Sequence, residues 1–279
     1  MVFVVLQLII VPLAVVAGTL AQRRFGHAVG GLIIGLPLAS LPMLLLITLQ
    51  RGTKFATSMS NADLIGSVAE VAVIVVYVLA ARRFSPTMTL LSALGAFALS
   101  AGALHWFTLP TLLAGVAAVI AFMVALRFWP VVDHDVIVGG RDRLLLRVAL
   151  SGGFGLLVLV LAGPIGPGFT GLAAALPVSS LVMAFVTHQG HGANASSRLL
   201  HGVARGSFSY IAAIFTFTEA LSTGSAWIAF ALSLVVAVVV QTMTLMWDTM
   251  PALKRALALP SAWPRLLLER QPIAFMARH

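Results

Sequence analysis

Hydrophobic residues in this chain run on rather than alternate with polar ones. Nine apolar stretches stand out, at 2–21, 29–50, 61–81, 85–105, 108–128, 144–163, 170–188, 205–221 and 224–247. Most are about 20 residues long, the length a helix needs to cross roughly 30 Å of hydrocarbon. A transmembrane barrel would show a period of two instead. The pattern predicts an all-α fold: a polytopic membrane protein with nine transmembrane helices.

Composition narrows this further. Hydrophobic residues make up 60% of the 279 positions and charged residues only 9%. A soluble domain carries about 25% charged residues, so a soluble enzyme, a disordered tail and a coiled coil are all excluded. The chain has no cysteine, which removes disulfides and thiol chemistry. The net charge of +9 would suit a nucleic-acid binder, so the positions of the basic residues decide its meaning.

With the N-terminus outside, nine crossings leave the C-terminus inside. The inner segments then hold Arg23, Arg24, Arg82, Arg83, Arg127, Arg141, Arg143, Arg147, Arg198 and Arg205. The tail adds Lys254, Arg255, Arg265, Arg270 and Arg278. Only Arg51 and Lys54 fall outside. Basic residues gather on the cytoplasmic side of membrane helices, so the charge is an orientation signal and no nucleic-acid partner is expected; the partner is the bilayer. The first stretch has no basic residue before it and Arg23–Arg24 after it, the reverse of a signal peptide. It is expected to be a retained helix. Most basic residues are Arg, which, with the abundant Ala and Gly, suggests a GC-rich bacterial gene and an inner-membrane location.

The sequence also repeats itself at a shift of 140. Gly31, Leu32, Leu36, Pro37, Ser40, Leu41 and Met43 return as Gly171, Leu172, Leu176, Pro177, Ser180, Leu181 and Met183. Gly52 matches Gly192, Gly66–Ser67 matches Gly206–Ser207, and Ala72, Ile74 and Ala80 match Ala212, Ile214 and Ala220. Helices 1–5 thus correspond to helices 6–9 plus a degenerate tail. Five crossings precede the second copy, so the two copies are expected to be inverted, as in many secondary transporters. The expected organisation is a first repeat at 1–130, a cytoplasmic linker at 131–142 and a second, inverted repeat at 143–248. A basic interfacial tail follows at 249–279, with its charges beside anionic lipid.

Pro37 and Pro177 sit mid-helix at equivalent positions, followed by Ser40 and by Ser179 and Ser180. A proline frees the carbonyl four residues earlier, and paired interrupted helices point to a midplane site. Gly31 and Gly35 are spaced for a close helix contact. Glu70 lies deep in the third stretch, where an ionisable group is a functional candidate by default; it is the expected proton-coupling residue. Its repeat mate is Tyr210. Ser67, Ser207, Ser209 and Tyr210 are further candidates for contacts to a solute, and Thr216 falls on the same broad face. Ser60 to Asp63 reads as a capping box, which makes Asp63 a wet, structural residue at the outer end of helix 3. Glu219 is also expected to be solvated.

His188, Gln189 and His191 end the seventh stretch, with His201 beyond. Histidines three apart can share a metal, but the segment supplies no carboxylate or third ligand. It reads as loop or gate, and no metal or cofactor is expected. Asp133–His134–Asp135 reads likewise as linker. No phosphate loop, nucleotide fingerprint or hydrolase signature occurs, so the chain is not expected to be an enzyme.

The expected function is a secondary transporter or exporter of a small solute or ion, with its site between helices 2, 3, 7 and 8. The alternatives are a metal-handling protein or intramembrane enzyme using His188, His191 and His201, or a non-catalytic subunit of a membrane complex. The sequence does not set the substrate, direction or oligomeric state.

Overall fold

The computed structural model describes residues 16–107, 109–130 and 166–249, with isolated positions 13, 145, 148, 149 and 153. Most of the sixth stretch, the linker, its Asp133–His134–Asp135 and the tail lie outside the described residues. So do most of the first fifteen positions. Everything described is helix or connecting turn, with no strand. In order the helices are α1 (16–25), α2 (His27–Ile34), α3 (Ser40–Arg51), α4 (Thr53–Ala80), α5 (Pro86–Leu104) and α6 (Thr111–Arg127). After the gap come α7 (166–174), α8 (Val178–Thr223) and α9 (Ala226–Thr249). Among the described residues, four spans are long and apolar enough to cross a membrane: Thr53–Ala80, Pro86–Leu104, Gly166–Thr223 and Ala226–Met246.

The expected loops at 51–60 and 189–204 are not loops. A single glycine does the turning. Gly52 (φ 84°, ψ 168°) separates α3 from α4, and Gly192 (φ 83°, ψ 177°) divides α8 into a short arm, 178–191, and a long arm, 193–223. This backbone conformation is closed to side chains, which is why glycine stands at both places. Helix resumes at once, so α4 begins eight residues earlier than its apolar stretch. The polar run through Thr57, Ser60 and Asn61 is helical. Gly26 (φ 92°) makes the same kind of turn between α1 and α2, and Gly166 (φ 76°) stands at its matching position. Around the α1–α2 turn, Gly30 packs on Gln22 and Gly18 on Ile34, so α2 doubles back along α1. Arg198 and Arg205 fall inside the long arm of α8 rather than in a loop, and Arg205 Nη2 donates to the carbonyl of Thr244 on α9 at 2.9 Å.

The 140-residue shift holds for the backbone as well as for the side chains. Leu36 N–H donates to Ile33 O at 3.2 Å, and Leu176 N–H to Ala173 O at 3.1 Å. Leu38 N–H donates to Leu36 O, and Val178 N–H to Leu176 O, each at 2.8 Å. Both helices therefore break in the same way at Pro37 and Pro177. The carbonyls that the prolines release, Ile33 O and Ala173 O, each accept one N–H from the tight turn.

Contacts recur across the halves with their partners exchanged. A methyl group on Gly31 would strike the carbonyl oxygen of Leu199; one on Gly171 would strike that of Met59. Gly206 lies against Leu32 and Gly35, and Gly66 against Leu172 and Ala175. In each pair the two positions are the repeat mates of the other pair, swapped. The close contact expected from the spacing of Gly31 and Gly35 is thus present, and it joins the two halves. Such stripes of small residues let membrane helices approach closely where lipid gives no hydrophobic drive.

Candidate functional site

The long arm of α8 crosses α4 in the antiparallel sense. Thr218 Oγ1 donates to Ser60 Oγ at 2.8 Å, Tyr210 lies against Asp63, and Ser207 against Glu70. The number on α4 rises as that on α8 falls. Asp63, Glu70 and Tyr77 are spaced by seven, so they stack along one face of α4. All three are buried, at 1%, 7% and 0% exposure.

Asp63 was expected to cap a helix in water; it does the opposite. Its helix starts at Thr53, so Asp63 lies in the interior of α4. The Tyr210 hydroxyl donates across both of its carboxylate oxygens, at 2.8 and 2.7 Å. Ser60 is no cap either: its hydroxyl turns back to Ala56 O at 2.9 Å. Ser40, the first residue after the break at Pro37, stands against the Tyr210 hydroxyl. Glu70 feels the charge of Asp63 two turns away. Among the described residues neither carboxyl is paired with a basic side chain.

The structure therefore brings together Ser40, Asp63, Glu70, Ser207 and Tyr210. It does not bring in every expected residue. The hydroxyls of Ser67 and Ser209 turn to their own helix, to Asp63 O at 3.1 Å and Gly206 O at 2.8 Å; that of Ser207 also donates to its own helix, to Val203 O at 3.0 Å, while lying against Glu70. Thr216 behaves likewise, on Ala212 O. Pro37 is buried at the first break and Ser180 at the second; Pro177 and Ser179 are partly exposed. Glu219 is exposed as expected, and so is Gln189.

The histidines do not converge. The His188 ring meets Tyr77 edge-on at 6.2 Å between centroids, His191 meets His27 at 5.2 Å, and His201 meets Trp129 at 5.3 Å. Among the described residues no three His, Asp or Glu side chains are placed to hold a metal. Of the three, His191 faces a polar network at the Gly26–Gly192 end through His27. There Gln22 Nε2 donates to Thr187 Oγ1 at 3.0 Å and lies 2.6 Å from His27 Nδ1. A groove of about 700 Å³ between α4 and α6 is lined by Val71, Val75, Ala121 and Trp129. It lies on another face of α4 and has nothing polar to offer the carboxyls.

Sequence reasoning passed over Tyr77, Gln22 and His27 and read Asp63 as a wet cap. The seven-residue spacing of Asp63, Glu70 and Tyr77 was the available signal for the first and last of these. Gln22 and His27 lie five residues apart and meet each other, but their other contacts, to Thr187 and His191, are about 160 residues away. Comparison with protein-family models, with curated proteins and with solved structures finds no match to this chain.

Proposed function

We propose that this chain is a secondary transporter of a small polar solute or ion, coupled to protons through Glu70. The observation that carries the reading is the buried carboxyl pair, Asp63 and Glu70, set where two broken helices meet the long helices of the opposite half. Burying two carboxyls without a basic partner is expensive in a membrane. Among the described residues no basic side chain offsets them, and the reading assigns the offsetting positive charge to protons or to a cationic solute. Ser40, Ser207 and Tyr210 supply the hydroxyls that orient it.

The same reading takes the two halves as an inverted repeat of nine crossings, N-terminus outside and C-terminus inside, in a bacterial inner membrane. Three observations support it. The turns and breaks recur at a shift of 140, the inter-half contacts recur with partners exchanged, and α4 and the long arm of α8 run antiparallel where they cross. α2 and α3 together fill the place of the second crossing, interrupted at Pro37. Inverted halves can trade conformations, which opens one face of the membrane and then the other.

The test is proton movement in proteoliposomes with a pH-sensitive dye inside, challenged with a panel of small polar solutes. Wild-type protein should couple at least one solute to a change in lumenal pH, and Glu70→Gln should abolish it. A solute-driven pH change that survives Glu70→Gln would refute the reading.

A further inference from the structure

The hydroxyl of Tyr77 and Nδ1 of His188 are among the buried polar atoms with no partner among the described residues. Tyr77 is fully buried and His188 only 9% exposed, and the two rings meet edge-on at 6.2 Å. Buried polar groups in proteins are hydrogen-bonded to protein or to ordered water. With no partner for either atom among the described residues, water is the ligand that would satisfy both.

The repeat supplies a control within the same molecule. The mates of Tyr77 and His188 are Phe217 and Thr48. Phe217 is fully buried and has no polar atom; Thr48 spends its hydroxyl on Leu44 O at 2.7 Å. The fold therefore packs this place without a free polar group on one side and with two on the other. Packing does not explain the difference.

We infer that Tyr77 and His188 form a water-bridged proton route from the Gly26–Gly192 end of the molecule to Glu70. It rests on the reading of Glu70 as the proton carrier. Tyr77 is two helical turns from Glu70, about 10 Å along the axis, a gap that the proposed route would bridge with ordered water. On the other side Thr187, next to His188, joins the network of Gln22 and His27, and His27 faces His191 beside the exposed Gln189 and Gly192. The titratable groups along the way are His27, His191, His188, Tyr77 and Glu70. A proton arriving from that end adds to the free ring nitrogen of neutral His188. The imidazolium passes a proton through water to the oxygen of Tyr77, whose own hydroxyl proton moves on to the Glu70 carboxylate. His188 and Tyr77 end as they began, and Glu70 holds the proton. The Phe217 position offers no such relay.

The experiment is infrared difference spectroscopy on the purified full-length protein in lipid, following the carbonyl stretch of the protonated Glu70 carboxyl after transfer to D₂O. The band is assigned by its loss in Glu70→Gln. Tyr77→Phe and His188→Thr each copy the residue at the mate position, and unchanged melting temperatures report an intact fold. The expected result is deuterium exchange slowed about tenfold or more in the double variant, within the range a positioned proton-transfer group contributes. Should the double variant not fold, Tyr77→Phe alone carries the same expectation. A smaller effect, with the Glu70 band intact, overturns the route and leaves the proposed function standing. A missing Glu70 band overturns both, because the carboxyl then holds no proton to exchange.

Discussion

Replacing Gly31 by alanine should loosen the contact between the halves, and Gly171→Ala should do so equally. At Gly31 the added methyl meets backbone on every side: the carbonyl oxygen of Leu199, its carbonyl carbon at 2.9 Å and Val203 N at 3.0 Å. At Gly171 it meets Met59 O, the Ala62 Cβ at 2.6 Å and Asp63 N at 2.9 Å. None of these atoms is the end of a flexible side chain. Relief requires the helices to part by about half an ångström or more, and overpacking of this kind costs about 1–3 kcal/mol. Gly95 and Gly102 on α5 have open space where a methyl would go. There alanine should be neutral or stabilise by up to about 1 kcal/mol through helix propensity. Thermal unfolding in detergent reads the difference. At roughly 2–4 °C per kcal/mol for a chain of this size, Gly31→Ala and Gly171→Ala should each melt several degrees lower, while Gly95→Ala and Gly102→Ala do not. If Gly31→Ala destabilises and Gly171→Ala melts like the α5 controls, the exchanged-contact argument is wrong.

Two further outcomes follow from the α4–α8 crossing. Tyr210→Phe removes the donor that bridges Asp63 and should cost about 1–3 kcal/mol. In an Asp63→Asn background the cost should shrink, and an equal cost in both backgrounds would mean the bond is not what Tyr210 supplies. A double-mutant cycle of Ser60→Ala and Thr218→Val should return a coupling of about 0.5–1.5 kcal/mol; zero coupling would remove that hydrogen bond from the crossing.

How much of this was legible in the sequence differs from residue to residue. Pro37 and Pro177 could be read because both copies carry them on one apolar background. Glu70 could be read because a lone carboxyl among valines has no other explanation. Asp63 could not, because Ser60, Asn61 and Asp63 resemble the start of a helix when the hydrophobic run begins beside them. The true start, at Thr53, is set by a backbone angle at Gly52, and hydropathy does not record backbone angles. Gly52 and Gly192 were visible as an identity in the repeat but not as turns. The charges near the two glycine turns, Arg51, Lys54, Arg198 and Arg205, sit on helix rather than loop for the same reason. The Tyr210–Asp63 and Gln22–Thr187 pairs were out of reach, since each joins residues nearly 150 or more apart in sequence, and Asp63, Gln22 and Thr187 have no polar mate in the other copy.

The swapped contacts also bear on what counts as a folding unit. Each broken segment is gripped by the long helix of the other half: Gly31 and Gly35 by 199–206, Gly171 and Ala175 by 59–66. The two stretches of sequence that look like duplicates are thus interlocked, like hands that clasp each other's wrists. Neither stretch encloses its own break, so the cooperative unit is the clasped pair, and the boundary between the repeats in sequence is not a boundary in the folded molecule.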